Sequence, residues 1–106
     1  MLRIYDVAIE VVRRLQPHVA QLRRRQASLA DQLDRAGDSV VLGIAEGSRS
    51  VGKTRALHYA RGAASMDEAR ACLELAVAKG HLRGVEPELG EMMRRVIGTL
   101  IKAQRA

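Results

Sequence analysis

Apolar residues recur at spacings of three, four and seven through most of this 106-residue chain. Only an α-helix turns that period into a continuous apolar face. Phe and Trp are absent and Tyr occurs twice, so the residue types that favour strands are scarce. Ala, Leu, Arg and Glu, all good helix formers, take their place. The pattern predicts an all-α fold, and the length suits a single domain over residues 1–106.

Four helices are expected. The first covers residues 2–25, with one stripe of Leu2, Tyr5, Ile9, Val12 and Val19 and a second of Ile4, Ala8, Val11, Leu15 and Leu22. Two adjacent stripes are wider than a lone bundle helix needs, so one is free to face another subunit. Pro17 interrupts this pattern and predicts a kink or a break near Gln16, because it removes one helical hydrogen bond. Ser28 and Asp31 have the spacing of a capping box and start the second helix, which lines up Leu29, Leu33, Ala36, Val40 and Ile44. Gly47 is the expected stop, since glycine tolerates the left-handed conformation that ends helices. The third helix runs over 51–79 to Gly80 and carries eight alanines, small enough to let neighbouring helices approach closely. The short connector His81–Gly84 favours an antiparallel partner. Pro87 and Glu88 suit the first turn of a fourth helix, whose Leu89, Met93, Val96 and Leu100 share a face widened by Ile97 and Ile101. The expected architecture is an up-down-up-down antiparallel four-helix bundle. Its small aliphatic core and surplus apolar width argue for burial in an oligomer.

Residues 47–54, Gly-Ser-Arg-Ser-Val-Gly-Lys-Thr, match the phosphate-binding pattern G-x-x-x-x-G-K-[ST] in full. In a nucleotide hydrolase that turn follows a buried strand and opens a helix, so that backbone N–H groups cradle the phosphates. Ser39–Glu46 could pass for the strand, but the chain offers no sheet for it to join and no second apolar strand ending in Asp. The motif therefore reads as a helix–helix loop, and a P-loop nucleotide-binding protein stands as the least favoured alternative.

Net charge is +6, and arginine supplies 15 of the 18 basic residues. Such a balance favours polyanionic partners: RNA, DNA or an anionic membrane surface, the last set aside because no amphipathic helix with aromatic anchors accompanies the charge. The single Cys72 excludes an internal disulfide and reads as a small core residue. His18, His58 and His81 are scattered, and none pairs with Cys72 at a metal-ligand spacing, so neither a metal nor a cofactor is expected. No secretory leader is visible, and no apolar run approaches the roughly 20 residues that span a bilayer. A cytoplasmic protein without a membrane partner is expected.

The segment Ser39-Val40-Val41-Leu42-Gly43-Ile44-Ala45-Glu46-Gly47-Ser48-Arg49 resembles the S-V-x-x-N-I-A-E-G-x-x-R signature of four-helix bundle proteins encoded by intervening sequences in bacterial 23S rRNA genes. Tyr5–Glu10, Tyr59–Glu68, Cys72–Ala76 and Gly80–Leu82 agree with the same family in order, so the resemblance spans nearly the whole chain. Gly43 departs from it, standing where the family usually has Asn. That glycine costs about 1 kcal/mol relative to alanine inside a helix. The resemblance implies a ring-like homopentamer and a role in nucleic-acid biology. Related bundles serve diversity-generating retroelements, where a basic pentamer binds RNA and a reverse transcriptase, which implies a polymerase-type protein as a further partner.

Arg49, Lys53 and Arg55 form the cleanest basic cluster, with no acidic residue between Gly47 and Arg61. A helix beginning near Val51 would add free N–H groups and a positive dipole end beside them, which suits phosphate. Arg23, Arg24 and Arg25 form a second candidate contact on the first helix, with Arg13-Arg14 and Arg94-Arg95 as lesser ones. Glu46 and Arg61, with Glu68 and His58 nearby, are expected to form a structural ion pair inside or between bundles. No nucleophile or second acid is placed for catalysis, so no enzymatic activity is expected. The expected function is electrostatic, weakly sequence-specific nucleic-acid binding, with RNA the favoured polyanion; the alternative is a protein-interaction scaffold.

Overall fold

The computed structural model describes residues 2–105. Four helices follow one another, α1 (Ile4–Arg23), α2 (Ala27–Ser48), α3 (Gly52–Ala78) and α4 (Pro87–Ala103), and no strand occurs among the described residues. They pack into an elongated four-helix bundle of 42 × 24 × 19 Å.

Periodicity selects the buried faces. The second α1 stripe, Ile4, Ala8, Val11, Leu15 and Leu22, is buried throughout, whereas Tyr5, Ile9 and Val12 of the first are only half-buried. The predicted α2 face, from Leu29 to Ile44, and the α4 face, from Leu89 to Leu100, are also buried. Fully burying each such leucine contributes roughly 1.5–3 kcal/mol before the entropy of ordering it is counted. Cys72 lies in the core, where burial pushes its thiol up, helped by Glu68.

α2 and α3 touch along most of their length. Gly43 lies against Gly62, where an added Cβ would stand 3.1 Å from the His58 carbonyl oxygen and 3.4 Å from the Gly62 Cα. Gly47 lies against Tyr59, and Gln26 just before α2 reaches Lys79 and His81 just after α3. Partner numbers thus rise on α3 as they fall on α2.

Three local expectations are not met. Pro17 does not break α1, which continues through it. The proline is exposed, so water can take the Arg13 carbonyl that it leaves without a donor. Ser28 and Asp31 form no capping box. Gln26 is the N-cap residue and makes no side-chain cap, and Asp31 instead binds Arg23. Gly47 is not the stop of α2, which runs on to Ser48. A Cβ there would stand 2.3 Å from Cε1 of the buried Tyr59 ring, so this glycine serves a close approach. Gly80 does end its helix as expected. At φ +77°, it lets the Gly80 N–H reach Val77 O and the His81 N–H reach Ala76 O, the paired bonds of a Schellman motif.

Candidate nucleic-acid interface

The apparent phosphate-binding motif is the end of one helix and the start of the next. Ser39–Glu46 lies within α2, residues 49–51 form the connector, and α3 opens at Gly52 with φ +56°. Side chains lace this turn. Ser48 Oγ donates to Ile44 O at 2.8 Å and Ser50 Oγ to Glu46 O at 2.9 Å. Arg55 Nε donates to Gly47 O at 3.2 Å and to Ser50 O at 2.8 Å. Glu46 O and Gly47 O already accept the Arg49 and Ser50 N–H groups, so these side chains add second bonds at the α2 terminus and tie the connector to it. Arg55 is thus partly buried and holds the connector together. Arg49 and Lys53 are exposed, with no ion pair among the described residues. Val51, the α3 N-cap, makes no side-chain cap, and the following Gly52, Lys53 and Thr54 are exposed. The first N–H groups of α3 therefore meet solvent beside two unpaired cations.

The other predicted cluster lies at the opposite end of α2, about 33 Å away at 1.5 Å rise per residue over its 22 residues. The structure thus divides the six predicted phosphate-contact residues between two sites. Arg23 is engaged by Asp31, whose hydrogen bond holds the guanidinium above its usual range. Arg24 and Arg25 are exposed and form no ion pair among the described residues. Beside them Gln26 Oε1 accepts from Lys79 Nζ at 3.0 Å and lies 3.2 Å from His81 Nε2. Lys79 and His81 were absent from the sequence-derived candidates. Their separation from Gln26, by 53 and 55 positions, left no local signal to find them by.

Arginines 13 and 94 are also taken by neighbouring carboxylates, Glu10 and Glu91, one helical turn away. Arg14 lies between Glu10 at 2.9 Å and Glu88 at 3.4 Å, which raise it above its usual range. Those contacts leave Arg95 as the unpaired member of its doublet among the described residues.

Glu46, His58, Arg61 and Glu68 come together along one groove between α2 and α3, floored by Gly43. Within it Glu46 Oε2 lies 3.8 Å from His58 Nδ1. Arg61 and Glu68 are exposed and make no ion pair within the chain among the described residues, so the expected Glu46–Arg61 bridge does not form inside one bundle. No helix of the described residues is long and apolar enough to cross a membrane.

The arrangement defines a small all-α bundle with cations displayed on its connectors. Residues 1–101 match the family described as 23S rRNA-intervening sequence protein, and the chain belongs to that family. Neither a curated protein nor a solved structure matches the chain.

Proposed function

We propose that this protein is a non-enzymatic, cytoplasmic, oligomeric bundle that binds nucleic acid, RNA above all, through its connector cations. The observation that carries this reading is the uncapped start of α3, where open N–H groups, the positive dipole end and the unpaired Arg49 and Lys53 converge. Arg24, Arg25 and Lys79 supply a second contact at the far end of α2. The family's description, which ties it to an intervening sequence of 23S rRNA, agrees with RNA as the polyanion. No stacking platform accompanies these charges, since Tyr59 is buried and Tyr5 half-buried, so binding is electrostatic and weakly sequence-specific.

The same reading takes the helices as up-down-up-down and antiparallel, in keeping with the reversed order of α2–α3 contacts. It takes the assembly as a homopentameric ring, in which repeated weak phosphate contacts gain from effective concentration. A polymerase-type protein is its further partner. A second reading, a protein-interaction scaffold without nucleic-acid binding, draws on the exposed Leu42, Leu57 and Leu75.

Titration of labelled structured RNA at about 50 and about 200 mM salt separates the two, because phosphate contacts lose much of their affinity over that range. Binding that weakens steeply with salt is the expected result. No binding at the lower salt would leave the scaffold reading.

A further inference from the structure

Another groove lies between α3 and α4, apart from the one that holds Glu46. It measures about 440 Å³, within the range of about 300–1,000 Å³ that takes small molecules. Its floor is Leu73 and Met93 of the core, and its walls are Val77 and Ala78 of α3 with Gly84 and Val85 of the α3–α4 connector. Val77 is 37% exposed although it stands over core residues. An added Cβ at Gly84 would meet nothing within 4 Å, so the space beside the connector is open.

Positive charge gathers at the other end. α3 ends and α4 begins at this connector. Arg70 lies eight residues before the end of α3 and Arg94 seven after the start of α4, so each stands about 10–12 Å along its helix from the connector. They are the lining residues farthest from it on their helices. The Arg94 guanidinium folds back over Gly90, where an added Cβ would stand 3.5 Å from its Nη1. Arg94 Nη2 donates to Glu91 at 2.8 Å and Arg70 Nη1 to Asp67 at 3.4 Å. Both carboxylates are mostly exposed, so these pairs are weak and open to exchange. A guanidinium has five N–H donors, and each arginine keeps several for a further acceptor.

We propose that this groove binds a single-chain amphiphile with an anionic head, of the kind a medium-chain fatty acid is. The tail lies over Leu73, Val77 and Met93 toward Gly84, and the carboxylate lies between Arg70 and Arg94. The site goes beyond nucleic-acid binding and depends on neither RNA nor assembly. The span from guanidinium groups to connector suits an extended chain of about eight to ten carbons, at roughly 1.25 Å per carbon for C–C bonds of about 1.5 Å and near-tetrahedral angles.

Charge selects the head. Two guanidinium groups favour a carboxylate, which accepts paired N–H bonds from each. The carboxylate in the lining, Glu74, is exposed and sits one turn nearer the connector than Arg70. A cationic head at Glu74 would face both guanidinium groups. An apolar tail takes Val77 and Val85 out of water, which a polyanion would leave wet.

Methyl spectra of the full chain carrying isotope-labelled methionine test this. The probes are the straight-chain acids from hexanoate to dodecanoate, each below the concentration at which it forms micelles. The Met93 signal is expected to shift and saturate while that of Met92, outside the groove, stays. Affinity should rise about two- to fourfold with each added methylene and level off near ten carbons. Octanol and octylammonium should bind roughly tenfold more weakly than octanoate. Arg70→Gln with Arg94→Gln should bring octanoate down to the level of octanol. Gly84→Leu fills the open space and should weaken decanoate roughly tenfold, with circular dichroism confirming an unchanged fold. A Met93 shift that never saturates, or that all methionine signals share, would overturn the site. Octylammonium bound as tightly as octanoate, or octanoate unaffected by the arginine exchange, would overturn the anionic head. Decanoate bound by Gly84→Leu as by the wild type would overturn the placement of the tail.

Discussion

The connectors at the two ends of α2 look alike in sequence and do different work. Each has three basic residues in or beside it, Arg23–Arg25 at one end and Arg49, Lys53 and Arg55 at the other. At each end one arginine is drawn into the structure and two cations stay free among the described residues. The means differ. Arg23 finds a carboxylate on the following helix, an exposed ion pair of the kind that contributes little. Arg55 finds two carbonyls of the preceding turn and is partly buried in doing so. The free cations also differ in setting. Arg49 and Lys53 stand at the positive start of α3, whereas Arg24 and Arg25 stand at the negative end of α1 and partly neutralise it. Charge density along the chain therefore does not measure anion affinity; partner and helix end do.

The contrast can be broken most strongly at the packing beneath the α2–α3 connector. Gly47→Ala places a methyl against the Tyr59 ring, and the ring is buried and cannot swing away. A loss of about 1–3 kcal/mol is expected by chemical denaturation, despite the better helix propensity of alanine. Gly84→Ala, which meets nothing within 4 Å, is the control and should change stability by no more than about 0.5 kcal/mol. Equal stability of the two variants would refute the close approach.

Arg49→Gln with Lys53→Gln sharpens the difference between free and engaged cations. RNA binding should weaken and the slope of log affinity against log salt should flatten by about two, one for each lost phosphate contact. Arg23→Gln should leave that slope unchanged. If Arg23→Gln flattened it equally, the partition into free and engaged arginines would fail.

Arg55→Ala should cost about 1 kcal/mol in thermal or denaturant unfolding, from the donor removed from two carbonyls. Lysine should not rescue it, because only the guanidinium places a donor at the Nε position. Full rescue by Arg55→Lys would show that charge alone matters there.

The smallest effect concerns the α3–α4 connector, which is tied to α1 through His18 and Glu86 at 2.8 Å. The His18 hydrogen bond holds the Glu86 carboxyl below its usual range. A depressed carboxylate contributes stability above its unfolded value and loses it as pH falls through its folded value. Because Glu86 is 48% exposed, solvent screening leaves only about a few tenths of a kcal/mol. Stability curves of the wild type and Glu86→Gln should differ slightly at neutral pH and converge in acid. A gap that widened in acid would contradict this sign.

Much of the fold was legible because helical burial is periodic. The α2 stripe from Leu29 to Ile44 and the α4 stripe from Leu89 to Leu100 can be read by counting threes and fours. Gly80 was equally legible, since a helix stop is a local event. At Pro17, at the Ser28–Asp31 spacing and at Gly47 the outcome turned on surroundings that a local rule does not contain. Solvent exposure let α1 pass through its proline, Arg23 took Asp31, and Tyr59 needed the space above Gly47. Of the candidate site, the residue types and the two clusters were readable. That Arg23 and Arg55 are engaged while Arg24, Arg25, Arg49 and Lys53 remain free was not.

By itself, then, the sequence determined four helices, their buried stripes, an arginine-rich surface and a Gly-Lys-Thr segment with no sheet to serve. These properties repeat over a few residues and depend on near neighbours alone. Only the tertiary structure decided which cations remain free, why Gly43 and Gly47 are glycines, and which face of α3 is left uncovered. Each of those depends on atoms brought close from another helix, as when Gln26 meets Lys79 across 53 positions, and no period in the chain encodes such a meeting.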